Sequence, residues 1–219
     1  QRISEKAIIK QLQNKYKKDW FSKSNERIKI EVSLLDDIAT IAIDTSGDGL
    51  HKRGYRQINY KAPISETIAA SMVMLSFWNP ERPLSDPFCG SGTIVIEAAM
   101  IGKNIAPGLM RKFDLENFIF IPKEIFKEEK RKCYEKIDYD KKLNINASDI
   151  SYKAIEVARN NSAILGLDED INFFQKDIRN LDLEDNYGVL ITNPPYGERL
   201  AVKEAPELNR ELGRLYKTI

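Results

Sequence analysis

The chain has 219 residues, 42% of them hydrophobic and 31% charged, and a net charge of +1. That composition suits a soluble globular protein of one or two domains with a sizeable core. No apolar run approaches the ~18 residues of a membrane span and the N-terminus has no signal-peptide core, so no membrane association and a cytoplasmic setting are expected. The two cysteines, Cys89 and Cys133, offer neither a disulfide framework nor zinc-ligand spacing, and the single histidine, His51, argues against a histidine metal site or a hydrolytic triad.

Charge is unevenly distributed. Residues 1–61 carry 13 Lys/Arg against 8 Asp/Glu, whereas the remainder carries 21 against 25. A basic N-terminal portion beside an acidic body hints at a polyanionic partner for the first part, although charge alone favours the plainer reading of a solvated surface.

In chain order, residues 3–18 place Ile3, Ala7, Ile8, Leu12 and Tyr16 at helical spacing. KIEVSLL (29–35) and IATIAID (38–44), separated by Asp36-Asp37, predict a hairpin. SGDGLHKRGYR (46–56), with three glycines, predicts a loop. Residues 64–78 are apolar on most faces and predict a buried helix.

From there strands and helices alternate. Strands are expected at 82–88, 143–149, 171–177 and 187–192, and helices at 90–102, 122–137, 151–166 and 206–219. Such alternation implies an α/β fold with a parallel, doubly wound sheet. Four strands would leave 187–192 as an exposed edge, so the chain is expected to be a fragment, or to be completed by another segment or chain.

DPFCGSGT (86–93) follows a strand and opens a helix, which places it where doubly wound folds bind ligands. Gly90 and Gly92 would let backbone approach a ligand closely. A dinucleotide loop would want a third glycine where Val95 stands, and a P-loop would want a lysine after Gly92. Asp86 would repel a pyrophosphate and favour a ligand carrying positive charge, such as the ammonium and sulfonium of S-adenosylmethionine. Asp149 and Asp177 end the next two strands and are candidates for accepting from ribose hydroxyls and an adenine amine. Each of the three has a plainer alternative as a helix cap or turn residue.

TNPPYG (192–197) ends the last strand. Asn193 offers a side-chain oxygen, and Pro194 a carbonyl with no N–H to compete. Pro195 restricts Pro194 to extended backbone. Two such acceptors can orient an exocyclic amine whose lone pair is otherwise delocalised into a base, and Tyr196 can stack on that base. Asn-Pro and Pro-Pro alone are ordinary turn signals.

Together, SGDGLHKRGYR, APISET, DPFCGSGTIVIEAAM and TNPPYGERL resemble the THUMP-domain class I S-adenosylmethionine-dependent RNA methyltransferases that make N2-methylguanine in large-subunit (23S) ribosomal RNA. Such proteins are also labelled N6-adenine-specific DNA methylases. The resemblance runs from about residue 27 to 200. It implies a Rossmann-like methyltransferase sheet over residues 61–219, lacking its last strands. Residues 1–60 would be the α+β end of a THUMP RNA-binding domain plus linker.

For the cofactor, the resemblance implies that Pro63, Glu66 and Thr67 contact its methionine end. Asp86, Cys89, Gly90 and Gly92 would form the cofactor loop, with Asp149 at the ribose and Asp177 on the adenine side. Asn193, Pro194, Pro195 and Tyr196 would be catalytic. The basic loop residues His51, Lys52, Arg53 and Arg56 are candidates for RNA contact, and no metal is expected. Adenine-N6 methylation of DNA or RNA, and a non-catalytic RNA-binding protein that retains the fold, are the alternative readings.

Overall fold

The computed structural model describes residues 2–21, 28–58, 60, 63–183, 187–195 and 205–218. They form two compact units: Gln1–Gly49 with Lys112–Lys127, and Leu50–Arg111 with Glu128–Ile219.

The first unit contains helix α1 (Arg2–Tyr16) and the antiparallel pair β1 (Lys29–Leu35) and β2 (Ile38–Asp44). Asp36 and Asp37 both have positive φ, 48° and 59°. That is the two-residue turn whose twist matches a hairpin, and short acidic side chains tolerate it. The register pairs Lys29 with Asp44, whose side chains meet at 2.8 Å, and Leu35 with Ile38. Asp44 also accepts from the backbone N–H groups of Ser46 and Gly47, which turns the chain out of β2. Leu115 N–H donates to the Thr45 carbonyl, joining residues 112–127 to this unit.

The second unit holds a four-stranded parallel sheet of β3 (Leu84–Asp86), β4 (Ile145–Asp149), β5 (Ile171–Gln175) and β6 (Val189–Leu190), in the order β5-β4-β3-β6. Leu84 pairs with Ile145 on one side and Val189 on the other. β3 and β6 are shorter than the apolar pattern predicts. Pro83 and Pro87 bracket β3 and supply no N–H, so its ladder stops within three residues.

The apolar runs IVIEAAM and AIEVA supply the helices that cover this sheet. In α3 (Thr93–Gly102) every residue from Thr93 to Met100 is buried. α5 (Tyr152–Ala163) presents Ala154, Ile155, Val157 and Ala158 to the core. α4 (Lys123–Glu135) has no buried residue and carries ion pairs from Arg131 to Glu128 and Glu135. α6 (Ala205–Tyr216) packs Leu208, Leu212 and Leu215 onto the 3-10 turn Ile178–Asn180, where Arg214 donates to the Leu181 carbonyl at 2.7 Å.

Helix burial also departs from expectation. α2 (Glu66–Leu75) is buried on one stripe only, through Glu66, Ala69 and Val73 against α3. Ile68, Met74, Leu75 and the following Phe77 are exposed. Apolar residues on every face cannot by themselves say which faces find a neighbour, and the described residues place none on that side.

Candidate active site

A cavity of about 580 Å³ opens at the carboxyl ends of the parallel strands. Pro63, Asp86, Cys89, Gly90, Asp149 and Asp177 all line it, as do Asn193, Pro194 and Pro195. Nine of the residues singled out in the sequence therefore share one pocket. The strand order produces this: β6 lies beside β3, so the chain leaving β6 passes the glycine loop.

The three aspartates share one local geometry. Asp86 Oδ1 accepts from Phe88 N–H at 3.1 Å, Asp149 Oδ1 from Ser151 N–H at 2.9 Å, and Asp177 Oδ1 from Arg179 N–H at 3.0 Å. Each is a turn in which a carboxylate binds the backbone two residues on. The turn and ligand readings are thus not exclusive, because a carboxylate has about four acceptor sites and the turn spends one. Asp149 Oδ2 also accepts from Gly90 N–H at 3.1 Å, tying the glycine loop to the end of β4. Asp177 is clasped by Arg179, whose Nη2 lies 2.5 Å from Oδ2, and this contact holds its carboxyl below the usual range.

Gly90 has φ +53°, and nothing lies within 4 Å of where its Cβ would be. It needs to be glycine for its backbone, and the space beside it is pocket. Gly92 serves differently. With φ +82° it starts α3, and a Cβ there would stand 3.0 Å from Ala158 Cβ. It is not part of the pocket wall; it lets α3 pack close to α5.

Asp86 is a strongly perturbed group of the pocket. It is 2% exposed, and burial pushes its pKa up to about 7 from an ordinary 3.8. Hydrogen bonds from Thr192 and Phe88 oppose that rise, and the nearby Asp149 adds to it. The same burial and the same two carboxylates push the Cys89 thiol well up, so Cys89 is a neutral wall rather than a nucleophile.

Asn193 and Pro194 follow directly on Thr192, whose Oγ1 donates to Asp86 Oδ1 at 2.6 Å. Ile191 N–H donates to the Ser85 carbonyl at 3.2 Å, so the loop starts in register with β3. Tyr196 lies outside the described residues.

Six other predicted site residues lie behind or away from the pocket. Glu66 is buried with Oε1 3.5 Å from Arg56 Nη1, and Thr67 is exposed on α2. Arg56 Nη2 donates to the Ile64 carbonyl at 2.8 Å and to Thr93 Oγ1 at 2.7 Å. Arg56 therefore braces two wall segments from behind. Arg53 lies 3.5 Å from Glu97, which also accepts from Tyr55 Oη at 2.9 Å. Both guanidinium groups turn into the domain, because Glu66 and Glu97 are buried acids that need partners. Lys52 and His51 remain on the surface.

Sequence reading passed over Thr192, Lys176 and Arg179. Arg179 could have been suspected two residues after Asp177, whereas the Thr192–Asp86 contact spans 106 residues and leaves no local signal.

Fold and pocket together define a class: a Rossmann-like methyltransferase domain. The family model described as "RMKL-like, methyltransferase domain" matches residues 53–219, and the chain belongs to that family. It is 45% identical to "Putative RNA methyltransferase YpsC" of Bacillus subtilis (strain 168), over 100% of this chain and 58% of that protein. Two solved structures superpose closely. One, from Listeria monocytogenes str. 4b F2365, is described as "a predicted N6-adenine-specific DNA methylase" (TM-score 0.94, 45% identity, 100% of this chain and 58% of that one). The other is "SMU.472, a putative methyltransferase complexed with SAH" (TM-score 0.90, 41% identity, 99% and 58%). The chain thus spans a little over half the length of these relatives.

Proposed function

We propose that this domain transfers a methyl group from S-adenosylmethionine to the exocyclic amine of a base in RNA, with guanine N2 of large-subunit ribosomal RNA as the first candidate. One observation carries the reading: a buried carboxylate, Asp86, and the acceptor pair of Asn193 and Pro194 meet at one pocket on adjacent strands.

The residues present fit such a cofactor. Asp86 is costly to ionise in its buried setting, and a ligand's ammonium or sulfonium would offset that cost. Gly90 leaves room at the cofactor's approach, and Asp149 retains acceptor capacity for ribose hydroxyls. S-adenosylmethionine supplies an already activated methyl group. The chain's own work is to orient the amine through the Asn193 oxygen and the Pro194 carbonyl, with Tyr196 as the stacking surface. No strong base is needed, since the amine can lose its proton after attack.

The RNA assignment is supported by the name given to the Bacillus relative and by the resemblance of residues 1–60 to the end of a THUMP module. His51 and Lys52 are the exposed residues of the SGDGLHKRGYR loop suited to contacting RNA phosphates.

The test is methylation of undermodified ribosomal RNA by the full-length protein with labelled cofactor, followed by nucleoside analysis. Methylguanine is expected, and methyladenine would overturn the guanine assignment. Asn193→Ala is expected to abolish transfer while leaving cofactor affinity within about threefold. Unchanged turnover would remove Asn193 from its role.

A further inference from the structure

Resting on that reading, we propose that Thr192 is a positioning residue: its hydroxyl, held on Asp86, sets where Asn193 and Pro194 stand relative to the methyl donor. β6 has only two ladder residues, Val189 and Leu190, so the sheet itself gives the following loop little guidance. Two contacts extend the register past the ladder. Ile191 N–H reaches the Ser85 carbonyl, and Thr192 Oγ1 reaches Asp86 at 2.6 Å, the shorter of the two by far. The next residue is Asn193. The link is therefore the last fixed point before the acceptors, and its other end is the carboxylate that faces the cofactor.

The geometry also makes the link responsive. Both donors to Asp86, Thr192 Oγ1 and Phe88 N–H, fall on Oδ1, which leaves Oδ2 without a donor among the described residues. A cation in the pocket holds Asp86 ionised, and an ionised acceptor strengthens the bond from Thr192. Asp149, ending β4, is the charged group acting on Asp86, and Cys89 is the titratable neighbour within the loop. Loading the cofactor would thus tighten the acceptor loop before the base arrives.

The experiment compares wild type, Thr192→Val and Thr192→Ser in the full-length protein. Turnover is measured on ribosomal RNA, and calorimetric affinity for S-adenosylhomocysteine across pH. Thr192→Val is expected to lose turnover by about 10–100-fold, while its affinity at high pH stays within about threefold of wild type. Its affinity–pH midpoint should move upward, because the carboxylate has lost a donor to its charged form. Thr192→Ser should restore both turnover and midpoint. A Thr192→Val enzyme as active as wild type overturns the inference, as does a Thr192→Ser enzyme that falls equally far, since the methyl group would then be what matters. A wild type that neither binds the cofactor product nor methylates RNA overturns the proposed function itself, and this inference with it.

Discussion

Asp86 is an almost fully buried carboxyl group, and among the described residues a hydroxyl and one backbone N–H are what stabilise its charge. Its folded pKa, about 7, lies above its ordinary 3.8. The folded state therefore holds a proton that the unfolded chain releases, and stability from this group is full below about pH 4 and lost as pH rises through about 7. Asp86→Asn cannot ionise. Denaturant unfolding of the unliganded protein should show this variant gaining roughly 1–3 kcal/mol over wild type between about pH 5 and pH 8. Cofactor affinity should run the opposite way and fall in the variant. A stability difference independent of pH would refute the assignment. Much of this site was legible in sequence because its residues sit at strand ends, where a short motif fixes both identity and place. Asp86, Asp149 and Asp177 could be placed that way. What could not be read was the long-range wiring, above all the contact from Thr192 to Asp86.

At the scale of elements, glycines separate two kinds of constraint. Gly92 and Gly166 both have positive φ, +82° and +67°. At Gly166, after α5, an added Cβ meets nothing, so Gly166→Ala should cost only backbone strain of about 1 kcal/mol. At Gly92 the same Cβ presses on Ala158 at 3.0 Å and on Ile96 Cδ1 at 3.3 Å, so α3 and α5 must also part. Gly92→Ala should cost roughly 2–4 kcal/mol. Equal losses in the unfolding midpoints of the two variants would show that the α3–α5 contact is not tight. The alternating strands and helices were legible from bounded apolar runs, and β6, expected as an edge, ends the order of the described strands, beside β3. Strand length was misjudged because prolines, not apolar residues, decide where β3 pairing ends. The burial of α2 was misjudged because composition does not name a helix's neighbours.

For the whole molecule, the division into two units predicts where a ligand will be felt. Every residue lining the pocket belongs to the second unit. Hydrogen exchange with and without S-adenosylhomocysteine should protect residues 86–94, 149–151, 176–179 and 191–195. The β1–β2 hairpin, in the first unit, should exchange unchanged. Protection confined to the hairpin would refute the pocket as the cofactor site. The charge asymmetry seen in sequence has a partial structural account. Two of the basic residues of the 46–56 loop, Arg53 and Arg56, neutralise buried acids and brace the site, which leaves Lys52 and His51 for the exterior.

The pairing of β6 with β3 has a consequence in time. Leu84 meets Ile145 after a connection that holds α3 and α4, but its pairing with Val189 must wait for a segment still later in the chain. Long-range pairings close last, because the loop entropy they must overcome is largest. The walls from β3, β4 and β5 can thus stand before the acceptor loop docks. On the proposed function, a place for the methyl donor would form before the loop that is to hold the amine.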